Sequence, residues 1–271
     1  MVLSLAFPKR IRDRTPYAPT RLSCLAYSIL LIIGAGWAVA KPKDPIVLSP
    51  RSFVYGRGYG EWSALWWQWL YSIPVADDLK NPPTHPLFVQ GVVDCAYKQS
   101  GRVWFIGGMF VSDVDSQTKV ARAIRICTIP NNVSLFFPIL NVENDATGQE
   151  SLSIAQLRQG AKIEMNRAIN LWLRLDDRLI TDLRRYRVTS PVFRFSMPQN
   201  NLYQYSGYDK PPGIYGPAVG DGIYVMLAPL SEGQHKIAFH GEFPGFTLEI
   251  TYNITSVPGI PQQQEPSRQI P

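Results

Sequence analysis

The most constraining feature of the chain is the stretch 246–255, where apolar and polar residues alternate without a break. Its apolar positions are Phe246, Leu248, Ile250, Tyr252 and Ile254, and its polar positions are threonines, a glutamate and an asparagine. Because successive side chains of a strand point to opposite faces, the pattern predicts a strand with one buried and one solvated face, as in an antiparallel sheet.

Other short runs rich in β-branched and aromatic residues are separated by turn-forming residues. Predicted strands lie at 103–110, 123–129, 135–140, 188–197, 223–230 and 235–240, and a hairpin of 170–175 and 178–183 turns at Asp176-Asp177. Eight or nine short strands of this kind predict a mainly β fold, an antiparallel β-sandwich of jelly-roll or immunoglobulin-like type with two packed α-helices.

The first of these helices is predicted at 61–73. Trp62, Trp66 and Trp69 fall on one helical face, and Pro74 ends the pattern. The tryptophans could form an aromatic platform for a ligand. Large apolar side chains at helical spacing instead favour a helix that covers one end of the sheet.

The second predicted helix, 153–169, begins with a serine–glutamine capping box. Helices and strands together form one predicted domain, 59–257. A lead-in loop at 41–58 precedes it. We expect the Pro- and Gln-rich tail at 258–271 to be disordered.

Residues 1–40 have the layout of a secretory signal peptide. A basic segment is followed by an apolar run and then by Ala38-Val39-Ala40, a small-x-small cleavage pattern. We predict cleavage after Ala40 and therefore a secreted or periplasmic location. The alternative is a retained membrane anchor, for which residues 22–40 are barely long enough.

The charge distribution argues against a nucleic-acid partner. The chain carries 27 basic and 21 acidic residues, a formal net charge of +6, but 22 basic and 20 acidic residues remain after residue 40. An exported, nearly neutral domain lacks the basic surface that binds nucleic acid. We expect any membrane association only through the N-terminal segment.

Two cysteines, Cys95 and Cys127, follow the predicted cleavage site. In an exported chain they suggest one disulfide. It would close a loop of about 33 residues and stabilise the fold by about 3–4 kcal/mol in the chain-entropy model. The alternative is a pair of buried free thiols.

Candidate chemistry is centred on a polar cluster that follows the predicted strand 135–140. Its members are Asn141, Glu143 and Asp145, with Glu150 beyond them and His85 as a further candidate. Oxygen ligands at alternate positions suit calcium, and two carboxylates suit acid–base cleavage of a glycoside. The same side chains could instead hydrogen-bond neighbouring backbone and fix the exit from the sheet.

The remaining metal candidates are weaker. Asp113 and Asp115 form a second possible calcium pair, which more simply lies on a solvated loop. His235 and His240 are five residues apart on a predicted strand, so they point to opposite faces and cannot share a metal ion. We expect one to face inward or lie at the rim and the other to be exposed.

An aromatic segment forms the other candidate site. Tyr203, Tyr205, Tyr208 and Tyr215 lie on a predicted loop rich in glycine and proline. Tyrosines on such a loop can stack on sugar rings or form an interface. The alternative is a long loop folded over the sandwich with its tyrosines half-buried.

Five phrases occur in a fixed order between about residues 50 and 255. They are EWSALWWQW at 61–69, QSGRVWF at 99–105 after Cys95, LFFPILNVE at 135–143, YRVTSPVF at 186–193 and DGIYVMLAPL at 221–230. The chain thereby resembles a family of uncharacterised secreted bacterial proteins. The resemblance implies export, a bacterial source and one compact domain, and it implies no reaction.

Together these patterns predict an exported β-sandwich with a binding or structural role toward a glycan or another envelope protein. The alternative is a secreted hydrolase or metal-dependent enzyme built on Glu143 and Asp145. The sequence has no phosphate-binding loop, nucleophile elbow, His-Glu-x-x-His motif or paired Cys-x-x-Cys. Apart from calcium, no cofactor is indicated.

Overall fold

The computed structural model describes residues 46–78, 83–109, 119–147 and 152–259. Within these ranges the chain forms three α-helices and eleven strands, and the strands make up two packed sheets. The helices are α1 (Tyr59–Tyr71), α2 (Ile154–Asn166) and α3 (Leu202–Tyr205). The strands are β1 (Gly91–Val92), β2 (Val103–Phe105), β3 (Val120–Pro130), β4 (Ser134–Asp145), β5 (Ile169–Leu175), β6 (Arg178–Ile180), β7 (Arg187–Thr189), β8 (Phe193–Met197), β9 (Gly213–Leu227), β10 (Gly233–Phe243) and β11 (Phe246–Val257). The predicted β-sandwich with packed helices is confirmed.

The six-stranded sheet has the order β1-β3-β11-β10-β5-β6, and the five-stranded sheet has the order β2-β4-β9-β7 with β8 also on β9. Among the described residues, three strand pairs are parallel, namely β1–β3, β3–β11 and β2–β4. The sequence predicted antiparallel pairing. β11 returns beside β10 through a two-residue turn at Pro244-Gly245, so that pair is antiparallel. β3 comes from a distant part of the chain, so no short turn dictates its direction.

The five-stranded sheet is covered on both faces. Phe136 and Phe137 are adjacent on β4, so they point to opposite faces, and both are fully buried. Phe137 packs 5.3 Å from Phe239 of the six-stranded sheet, whereas Phe136 packs 5.6 Å from Tyr59 of α1. Burial on both faces explains why residues 135–140 of β4 are a continuous apolar run in sequence.

The tryptophans of α1 belong to the core, as their spacing favoured. Trp62, Trp66, Trp67 and Trp69 are all buried. The helix begins at Tyr59 because Gly58 is its N-cap, with the Gly58 N–H bonded to the Glu61 carboxylate at 2.9 Å. It ends at Tyr71, before Pro74.

The other element boundaries differ from the predicted ones for local reasons. The predicted capping box of α2 is present at Ser153 and Gln156, but the helix ends at Asn166 because residue 169 already pairs with β10. The predicted strand 188–197 is broken into β7 and β8 around Pro191, which has no N–H for a sheet. The short helix α3 was not predicted.

The segment 83–109 is fastened to the six-stranded sheet. Cys95 and Cys127 form the predicted disulfide, with their Cα atoms 5.8 Å apart. Arg125 is fully buried, and its guanidinium donates to the carbonyls of Val89, Gly107 and Gly108. Three backbone acceptors thus meet the Nε and Nη1 groups of the buried charge.

The predicted signal peptide at 1–40, with its cleavage site at Ala40, lies outside the described residues, as does most of the predicted tail. Of the helices that the structure describes, none combines the length and the apolar character needed to cross a membrane.

Candidate functional site

The predicted carboxylates Glu143 and Asp145 lie in a strand and not in the loop expected after residue 140. β4 continues to Asp145 because residues 141–145 pair with residues 218–222 of β9. Since the two residues are two apart on one strand, their side chains share a face of the sheet. That face carries α1.

Each of the two carboxyl groups accepts a hydrogen bond from a tyrosine. The Tyr71 hydroxyl donates to Glu143 Oε2 at 2.9 Å, and the Tyr203 hydroxyl donates to Asp145 Oδ2 at 2.9 Å. Glu143 is 4% exposed and Asp145 is 8% exposed. We call these four residues the carboxyl–tyrosine cluster. It joins α1, β4 and α3.

Burial controls the protonation of this cluster. Loss of hydration raises the pKa of Glu143 to about 8, and the nearby Asp145 charge adds to the rise. Glu143 is therefore mostly protonated at neutral pH. Burial, reinforced by the two carboxyl groups, also raises the pKa of Tyr71 and of Tyr203 well above the ordinary value. Both tyrosines thus remain hydrogen-bond donors.

Tyr71 is the member that sequence reasoning missed. The helix pattern identified it only as part of an apolar segment, and it does stack on Trp67 at 5.8 Å and on Phe195 at 4.1 Å. Its partner Glu143 is 72 residues away in the chain. No spacing rule links two positions so far apart.

The predicted aromatic loop is divided between the interior and the surface. Tyr203 belongs to α3 and is buried, Tyr205 is half-buried, and Tyr215 is half-buried in the first part of β9. Tyr208 is 42% exposed. The structure therefore brings Tyr203 to the carboxyl cluster and does not assemble the four rings into one exposed platform.

Asn141 lies near the cluster, whereas His85 has a backbone role. Asn141 donates to the Tyr224 hydroxyl at 3.1 Å. His85 Nδ1 accepts from the Leu87 N–H at 3.0 Å, so the proton is on Nε2, which faces the Leu70 carbonyl at 3.2 Å. Burial lowers the pKa of His85 to about 4. Its neutral ring thus ties two backbone segments together.

The two carboxyl groups of the cluster each accept a hydrogen bond from a tyrosine hydroxyl in this structure. In the part of the chain that the structure describes, no group of three or more His, Cys, Asp or Glu side chains is arranged to hold a metal ion. Asp113, Asp115 and Glu150 lie outside the described residues.

His235 and His240 point to opposite faces of β10, as their spacing predicts. His235 faces the core, and its Nδ1 is 2.9 Å from Asp176 Oδ2. His240 lies on the outer face but is only 8% exposed, so the expectation of an exposed histidine was wrong. The ring of Trp172, stacked on His240, covers it.

Two pockets lined by described residues lie away from the carboxyl–tyrosine cluster. A small one lies beside the disulfide, between Trp69, Cys95 and Tyr252. The other, of about 370 Å³, lies on the outer face of the six-stranded sheet beside Trp172.

Comparisons of the chain with protein-family models, with curated proteins and with solved structures found no match.

Proposed function

We propose that the protein is exported and serves as a binding or structural module outside the cytoplasm, and not as an enzyme. The observation that carries this proposal is the internal use of the candidate catalytic groups. Glu143 and Asp145 are buried against tyrosine hydroxyls, and His85 is bonded to backbone. Groups used in this way stabilise the fold, which leaves the outer surface as the place for recognition.

Three features support export. Residues 1–40 have the layout of a signal peptide, the Cys95–Cys127 disulfide suits an oxidising compartment, and the five sequence phrases resemble secreted bacterial proteins. The partners that fit such a location are a glycan or another envelope protein.

Export is tested by expressing the full chain in a Gram-negative bacterium and fractionating the cells. We expect oxidised protein in the periplasm or the medium, with Lys41 as its first residue by mass spectrometry. The variant Ala38→Lys removes the small-x-small pattern and should accumulate as an uncleaved precursor. A wild-type chain that stays in the cytoplasm with residues 1–40 attached contradicts the proposal.

A secreted hydrolase centred on Glu143 and Asp145 is the second candidate. It is favoured by one observation, a carboxyl group that holds its proton near neutral pH beside a second carboxyl group. This alternative requires the wild type to release reducing ends from a polysaccharide and Glu143→Gln to abolish that release. A binding module releases none in either form.

A further inference from the structure

Trp172 lies on the outer face of the six-stranded sheet. Its neighbours Leu173 and Leu175 alternate with it and are buried in the core, so Trp172 points outward. The indole is half-buried and lines the pocket of about 370 Å³. The pocket-lining residues, all from the β5–β6 hairpin and the residue after it, are Asn170, Leu171, Trp172, Arg174, Leu179 and Thr181.

A β-bulge directs Asn170 into this pocket. Trp172 pairs with His240 and Ile169 pairs with Glu242, so two residues of β5 oppose one residue of β10. Asn170 adopts a left-handed backbone conformation with φ of 52°. Bulges re-aim side chains in this manner and are typical of functional sites on sheets.

A bonded network holds the Trp172 ring and the Asn170 amide in place. The rings of Trp172 and His240 are 5.3 Å apart between centroids, with planes 2° apart. His240 Nε2 is 2.9 Å from Glu242 Oε1, and Asn170 Nδ2 donates to Glu242 Oε2 at 2.9 Å. A site whose groups are fixed in advance loses less entropy when it binds.

The pocket wall combines an aromatic ring with polar side chains. One face of the indole is covered by His240, and the pocket lies beside the ring. Around the ring, the amide of Asn170 and the hydroxyl of Thr181 can each donate and accept, and Arg174 donates. A pyranose ring has matching parts, an apolar C–H face and a rim of hydroxyl groups that donate and accept.

We propose that this pocket binds a pyranose unit of a polysaccharide, which packs against Trp172 and is hydrogen-bonded by Asn170, Arg174 and Thr181. The proposal rests on the binding role proposed above and names its ligand class. A purely apolar ligand would take the exposed Arg174 and Thr181 side chains out of water without giving them a hydrogen-bond partner. A strongly anionic ligand would meet one cation, Arg174, and the nearby Glu242 carboxylate, so a neutral sugar fits best.

The test is a titration of the full-length chain, labelled with ¹⁵N at tryptophan, with cello-, chito- and galacturonan oligosaccharides. We expect a neutral oligosaccharide to shift the Trp172 indole N–H signal, which is assigned by its loss in Trp172→Phe. Calorimetry of Trp172→Ala should show at least about tenfold weaker binding, the loss of one aromatic contact. Tyr208→Ala, which removes the exposed ring of the other candidate surface, is the matched control and should bind like the wild type.

Arg174→Ala is the second variant, because Arg174 is exposed on β5 and its loss should not affect folding. It should also weaken binding, with an unchanged melting temperature. Failure of both neutral oligosaccharides to shift the Trp172 signal, with or without a response to galacturonan, or full binding by Trp172→Ala, overturns the neutral-sugar site. Either result leaves the export experiment untouched, so the two proposals fail separately.

Discussion

Glu143 is a carboxylic acid at a position where a glutamine could accept the same hydrogen bond from Tyr71 without a titrating proton. The acid therefore makes stability depend on pH. In the unfolded chain it loses its proton near 4.5, and in the fold it keeps the proton up to about pH 8. Between these values the folded state binds more protons, so the free energy of unfolding falls as the pH rises.

We predict that Glu143→Gln removes this dependence. The wild type should lose up to about 1.4 kcal/mol of stability per pH unit between roughly pH 4.5 and pH 8 from this group alone. The free energy of unfolding of the variant, relative to that of the wild type, should therefore increase as the pH rises, by a few kcal/mol at pH 8. Urea unfolding at several pH values measures the difference between the two proteins.

The control for this prediction is Glu232→Gln, which removes one negative charge from an exposed position. Its difference from the wild type should stay nearly constant across the same pH range. A Glu143→Gln curve parallel to the wild-type curve would show that Glu143 is ionised in the fold and that the cluster holds a buried charge.

Single residues were predictable from sequence where the reason was local. Two cysteines in an exported chain predict a disulfide, and a five-residue spacing on a strand separates His235 from His240. Tyr71 and Trp172 were missed because their roles come from partners in distant segments, Glu143 and His240. A carboxyl group in the sequence does not indicate which distant tyrosine will donate a hydrogen bond to it.

At the scale of elements, α1 lies very close to β9. A Cβ atom on Gly220 would be 2.8 Å from Trp67 Nε1, and one on Gly222 would be 2.6 Å from the Asn141 Cβ. Gly220 of β9 therefore leaves space for Trp67 of α1, and Gly222 leaves space for Asn141 of β4. Sequence periodicity predicted that α1 is a core helix, but only the sheet shows which strand receives it.

We predict that Gly220→Ala destabilises the fold by about 1–3 kcal/mol, because the added methyl group forces the Trp67 indole to move within a packed core. Gly213→Ala is the matched control on the same strand, since its Cβ atom would meet only Tyr215 at an ordinary 3.6 Å. Thermal unfolding of both variants measures the difference. Equal melting temperatures would mean that α1 shifts freely over β9.

The length of each strand depends on which strands pair, and hydrophobic periodicity in the sequence does not reveal the pairing. β4 continues past the predicted end at 140 to Asp145, and β9 begins at Gly213, before the predicted start at 223, but ends at Leu227. The two strands pair with each other over residues 135–145 and 218–227. Polar residues such as Asn141 and Glu143 resemble a loop when the chain is considered alone. In the fold they pair with β9, where Asn141 donates to the Tyr224 hydroxyl and Glu143 accepts from Tyr71 of α1.

At the scale of the whole molecule, segment 83–109 is joined to the two sheets by contacts of different kinds. Arg125 holds three of its carbonyl groups, the Trp66 indole donates to the Ile106 carbonyl at 2.8 Å, and β2 pairs with β4. The disulfide adds a covalent link between Cys95 and Cys127. The noncovalent contacts are independent of oxidation, so the fold should survive without the disulfide at lower stability.

We predict that the double variant Cys95→Ala/Cys127→Ala keeps its near-ultraviolet circular dichroism spectrum and loses about 3–4 kcal/mol of unfolding free energy. The loss arises because the unfolded chain is no longer closed into a loop. A reducing agent should lower the stability of the wild type to the same level and leave the variant unchanged. An unfolded double variant would show instead that segment 83–109 depends on the disulfide for its attachment, and that the domain can fold only in an oxidising compartment.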